Sequence, residues 1–188
     1  MASVEGDQLE PPATVSRPRT QQPVAPRADE GTLPAAPVDP LGRLPGRYQY
    51  AGGQAQRGRA AEAVEAVVDQ MNLISRGIAR RRLLSGIEPP STVEIEIDAK
   101  RVVTTIDGRT YQAELGGRAK RVTGSSGETL KFKVRSRRDQ LLLEFRGDKG
   151  GKKYVMRIDG RGRLQMRVTI FSASLPASVV YPLTYRAG

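Results

Sequence analysis

Cysteine, histidine and tryptophan are all missing from this 188-residue sequence. Without Cys there is no disulfide framework and no thiolate to act as nucleophile or metal ligand. Without His the usual neutral-pH general base and the commonest metal-binding side chain are gone. Acid–base chemistry would fall to carboxylates and tyrosines alone. No apolar run approaches the roughly 18 residues that a membrane span needs. Residues 1–10 lack a basic start followed by an apolar stretch, so no secretory leader is read there. The expected compartment is therefore the cytoplasm, or the periplasm or exterior if a leader has been removed.

What is present is charge of one sign. The formal net charge is +11, and it is unevenly spread. Residues 1–46 hold four Arg against six acids, which leaves 27 basic and 14 acidic side chains in residues 47–188. A part this basic attracts polyanions at long range, and it is also what an Arg-rich surface gives with no functional meaning. The first 46 residues carry nine of the 13 prolines among Ser, Thr, Gln and Ala. Such a segment has too few apolar residues to offset its ordering entropy, and 1–46 is expected to be a disordered, semi-extended tail. Residues 47–87 read as a linker followed by one amphipathic helix, from about Arg59 to Leu84. Val64, Val67, Val68, Met71, Ile74 and Ile78 share a face at three- and four-residue spacing. Glu62, Glu65 and Asp69 fall early and Arg80, Arg81 and Arg82 late, as the helix dipole prefers.

From residue 88 to 188 the period changes to two. Val93, Ile95 and Ile97 alternate with Glu94, Glu96 and Asp98, and Leu130, Phe132 and Val134 alternate with Lys131, Lys133 and Arg135. Asp107-Gly108 and Asp159-Gly160-Arg161-Gly162 separate such runs and mark hairpin turns. About nine short strands joined by short turns predict an antiparallel up-and-down meander, curled into a barrel or half-barrel with the helix packed on it. Pro182 places the last strand at an edge or a bulge.

No residue constellation specifies catalysis, a metal or another cofactor, and none is expected. Glu94, Glu96 and Asp98 share an outward strand face, and the "GDKGGKK" stretch at 147–153 lacks the phosphate-loop order. Two non-enzymatic readings remain open. In the first, inward-facing Phe132, Tyr154, Met156, Met166, Val168 and Tyr181 line a barrel interior that holds a small apolar ligand. In the second, outward-facing Lys131, Lys133, Arg135, Arg137 and Arg138 meet a polyanion such as polysaccharide, lipid headgroups or nucleic acid. No aromatic residue interleaves with that stripe, so base stacking is not part of the reading.

The run "DQLLLEFRGDKGGKKYVMRIDGRGRLQMRVTI" followed by "SLPASVVYPLTYR", together with "MNLISRGIARRRL" ahead of it, resembles lipocalin-like barrel domains of uncharacterised exported bacterial proteins of the myxobacterial type. The resemblance covers roughly residues 50–186. It implies a barrel, export and a Pro-rich spacer, and no particular activity.

Overall fold

The computed structural model describes residues 41–188. The period-2 segments become strands β2 (Thr92–Asp98), β3 (Arg101–Ile106), β4 (Arg109–Glu114), β5 (Lys120–Thr123), β6 (Thr129–Arg137), β7 (Gln140–Arg146), β8 (Gly150–Ile158), β9 (Leu164–Ser172) and β10 (Val179–Ala187). A tenth strand, β1 (Gly46–Tyr50), precedes the helical region and pairs with both β2 and β10. All neighbours are antiparallel, in the order β4-β3-β2-β1-β10-β9-β8-β7-β6-β5. The two end regions of the sheet meet where Gly116 N–H donates to Val134 C=O at 3.0 Å, and this nearly closes the barrel.

Turn chemistry sets the registers. Asp107 and Gly108 both take positive φ (46° and 77°), the backbone that a two-residue hairpin requires. The β8–β9 turn is organised by one carboxylate. Asp159 accepts from the N–H groups of Arg161 and Arg163 and from the side chains of Arg163 and Gln165, at 2.9–3.0 Å. Those donors, led by the Arg163 N–H, hold its carboxyl well below the usual range. A depressed folded pKa means that this stabilisation is complete above the unfolded carboxyl's pKa and is lost as pH falls below it. Asp159→Asn is therefore expected to melt below the parent at pH 7. The difference should shrink steadily once pH drops under about 4, measured by thermal melts from pH 7 to 2. A gap that does not change with pH would remove Asp159 from the account.

The helical region departs from the expected single helix. It forms two, α1 (Gly53–Val68) and α2 (Leu73–Gly86). The break is Asn72, whose extended backbone and side-chain oxygen, 2.9 Å from Ser75 N, start a new helix. The Arg76 guanidinium donates to the carbonyls of Asp69 (2.7 Å) and Met71 (3.2 Å) in the connecting turn. Arg80 returns to Glu65 at 2.8 Å and ties the helices together. Because the face is interrupted, only part of the expected stripe is buried. Val64, Val67 and Val68 enter the core, while Ile74 and Ile78 are 91% and 60% exposed. Gly77 faces open space.

α1 packs on β10. Gln56 supplies what a neighbouring strand would: its amide accepts from Thr184 N and donates to the Thr184 hydroxyl, both at 2.8 Å. Pro182 sits just before the stretch where β1 begins to pair, Tyr185–Ala187. Its missing N–H therefore falls where β10 has β9 on one side and no strand on the other, so the edge character expected of β10 is local.

Of the expected tail, residues 1–40 lie outside the described residues. Residues 41–46 are ordered onto the barrel. A turn (Leu44 N to Leu41 O, 2.9 Å) puts Leu41 and Leu44 on one side, and both are buried. Leu44 C=O accepts from the Tyr48 hydroxyl at 2.9 Å.

Candidate functional site

Alternation along each strand sends one set of side chains inward. Leu141 and Leu143 from β7, Met156 from β8, Leu164 and Met166 from β9 and Leu183 from β10 are at most 1% exposed. Together with Phe132 and Val134 they fill the middle of the barrel with side chains. Above them lies an aromatic layer. Phe132 stacks on Phe145 with centroids 4.7 Å apart, and Phe145 meets Tyr111 and Tyr154 edge-on at 4.7 and 6.0 Å.

Antiparallel hairpins bring the β3–β4, β5–β6 and β7–β8 turns to one end of the barrel. There, between those turns and the end of α2, a cleft of about 540 Å³ opens onto the aromatic layer. Its apolar lining includes Ile106, Tyr111, Leu130, Phe145, Tyr154 and Ile170. The glycine pair of "GDKGGKK" belongs to this end for steric reasons. A Cβ on Gly151 would overlap Phe145 O and crowd the Phe171 ring, and one on Gly150 would overlap Phe171 O.

Charged groups ring the cleft, and most are already engaged. Asp107 accepts from Ser91 N (2.7 Å) and Thr92 N (3.1 Å). Glu128 accepts from Ser126 N at 3.0 Å, and Glu88 pairs with Arg57 at 3.4 Å. Arg109 reaches over the open seam to Gly124 C=O at 3.1 Å. Lys152 follows the inward parity of Tyr154 and Met156, and its ammonium donates to Gly86 C=O at 2.7 Å. Burial pulls its pKa down. Burial pushes the Tyr154, Tyr181 and Tyr185 hydroxyls well up, and all three stay protonated at physiological pH.

The six residues expected to line a ligand site are all inward and all buried: Phe132, Tyr154, Met156, Met166, Val168 and Tyr181. Of these, only Tyr154 lines the cleft. The other five pack within the core. Lys152 lies in a Gly- and Lys-rich stretch whose composition suggests a turn rather than a strand. Counting back by two from Met156 and Tyr154 would have placed it inside. On the outer face, Lys131, Arg135, Arg137 and Arg138 are exposed and Lys133 is half-buried. Arg138 takes φ 56° in the two-residue β6–β7 turn. Lys131 stands directly opposite Arg121 on one side and Arg146 on the other, so three cations adjoin across β5, β6 and β7. Among the described residues no group of three or more acidic side chains is placed to hold a metal ion.

No family profile and no curated protein matches the chain. Solved structures do match. A mutant of the fluorescent protein UnaG superposes with a TM-score of 0.51 at 17% identity, covering 78% of this chain and 96% of that one. A Schistosoma mansoni fatty acid binding protein in complex with arachidonic acid gives a TM-score of 0.48 at 16% identity, covering 79% and 98%. A zebrafish ileal bile acid-binding protein complexed with cholic acid gives 0.48 at 14%, covering 78% and 99%. The fold is thus a lipocalin-like, ten-stranded antiparallel barrel carrying two helices. No described helix is long and apolar enough to cross a membrane.

Proposed function

We propose that this protein binds a small, largely apolar molecule and does no chemistry on it, and that the molecule sits in the cleft at the mouth of the barrel. One observation carries the reading: the cleft of about 540 Å³ has an aromatic and aliphatic floor resting on a filled core. That volume lies within the range of small-molecule sites, roughly 300–1,000 Å³, and the lining joins the apolar floor to five charged side chains, Glu88, Asp107, Arg109, Glu128 and Lys152. Phe132, Met156, Met166, Val168 and Tyr181 then act by supporting the floor, and Tyr154 by touching the ligand.

A second reading has its own observation. The row Arg121, Lys131 and Arg146, continued along β6 by Lys133, Arg135 and Arg137 and in the following turn by Arg138, is interrupted by one carboxylate, Glu144, which pairs with Arg146 at 2.9 Å, and leaves a net positive surface that a polyanion would neutralise. One set of titrations separates the two. The uncharged fluorophore N-phenyl-1-naphthylamine should bind with a micromolar constant that is insensitive to salt, and Ile170→Trp, which fills the cleft, should weaken it at least tenfold. Heparin binding, if the outer stripe is the functional surface, should fall steeply between about 50 and 200 mM salt and vanish on charge reversal at Lys131, Lys133 and Arg135. We expect the fluorophore to bind and heparin to bind only weakly. No fluorophore binding together with tight, salt-sensitive heparin binding would transfer the function to the outer surface.

A further inference from the structure

Charge accounting at the cleft says more about the ligand than its volume does. Three carboxylates line it, Glu88, Asp107 and Glu128, and each is already held by an arginine or by backbone N–H groups. The two cations that line it, Arg109 and Lys152, have no carboxylate within ion-pair distance among the described residues. Lys152 is the more demanding of the two. An ammonium offers three donors, and this one uses a single donor, to the last carbonyl of α2, while standing beside Phe145 and Ile170 in the sheet register. Lys152 is half-buried, and a positive charge partly withdrawn from water among apolar neighbours is costly unless an anion meets it. Its position at the start of β8 puts it level with the aromatic floor rather than out on the rim. An apolar body lying on Phe145, Tyr154 and Ile170 would bring a terminal anionic group to it.

On the reading that the cleft is the binding site, we infer that its ligand is an amphiphile with one anionic head, a carboxylate or sulfonate on an apolar body, and that the Lys152 ammonium is the head's anchor. Arg109 adds positive potential from β4. The bond to Gly86 C=O serves a second purpose. It holds the ammonium in place before the ligand arrives and so spares part of the ordering cost of binding. The α2 carbonyl end is negative and favours the charged form of the lysine.

Two probes with one aromatic skeleton test this in the full chain: N-phenyl-1-naphthylamine, which is uncharged, and 8-anilinonaphthalene-1-sulfonate, which carries a permanent negative charge. The parent protein should bind the sulfonate at least tenfold more tightly than the neutral probe. Lys152→Gln should erase that preference, so that the two probes bind within about twofold of each other, with a thermal melt of the same variant showing that it is folded. Lys152→Arg should retain the preference, and Arg135→Glu on the outer face should not touch it. Sulfonate affinity should also decline as pH rises through the lowered lysine pKa, with no matching decline for the neutral probe. Equal affinity for the two probes in the parent, or a preference that survives Lys152→Gln, would overturn the anchor while leaving the apolar cleft intact. Failure of both probes to bind would overturn the cleft reading and this inference together.

Discussion

Val68→Asp should lower the unfolding free energy by about 3 kcal/mol or more, because it buries a carboxylate with no partner. Val68 is the last residue of α1, is fully buried and belongs to the same core as the barrel strands. Ala60 and Val64 lie on the same buried side, so no rotation about the helix axis would release an aspartate at 68 without exposing them. With total stabilities commonly 5–15 kcal/mol, a loss of this size moves a urea midpoint far outside experimental error. An unchanged midpoint would mean that α1 is a loosely attached element and that the core is sealed without it. Ile74→Asp, on an exposed position of α2, is the matching control and should cost little.

Phe132→Ala should cost about 3–5 kcal/mol, the usual range for emptying a large buried aromatic site. Phe132 is fully buried, stacks on Phe145 and stands 5.7 Å from the Tyr111 ring. Its loss would leave a void beneath the floor of the cleft while the residues facing the ligand remain. Urea unfolding and titration with N-phenyl-1-naphthylamine on the same variant therefore report different things. Large destabilisation with retained probe binding places Phe132 in the support. Little destabilisation with lost binding would instead place it in contact with the ligand.

The barrel was legible wherever the chain alternates plainly between apolar and polar residues and turns on glycine. The strands from β6 to β9, the Asp107-Gly108 hairpin and the Asp159 turn all announce themselves in this way. Two turns did not. The β2–β3 and β6–β7 connections use Ala99 and Arg138 in positive-φ backbone, at 49° and 56°, with no glycine or asparagine to mark them. Strand β1 was hidden because "GRYQY" is only five residues long and offers two inward residues, Tyr48 and the half-buried Tyr50. It is a strand because β2 and β10 flank it, which a local window does not contain. The helix break was readable in principle, since Asn72 followed by Leu73 and Ile74 is a capping signal, but the longer apolar spacing outweighed it. Lys152 shows the cost of reading composition before parity: two glycines and two lysines suggest a loop, yet the strand's alternation already reaches residue 150.

The position of β1 governs the order in which this domain can assemble. β2, β3 and β4 can zip together as local hairpins, and so can the run from β5 to β10. The two groups are joined in the sheet through β1, whose Tyr50 must find Tyr185 across more than 130 residues of intervening chain. Loop-closure entropy of that kind is paid before the contact returns anything, and it makes folding slow relative to local helical or hairpin formation. Until β10 emerges, α1 has no sheet to cover and the inward face of the nascent hairpins stays open to water. In a growing polypeptide the helices would wait, and the barrel would close in a single late step that joins β1, β10 and α1 at once.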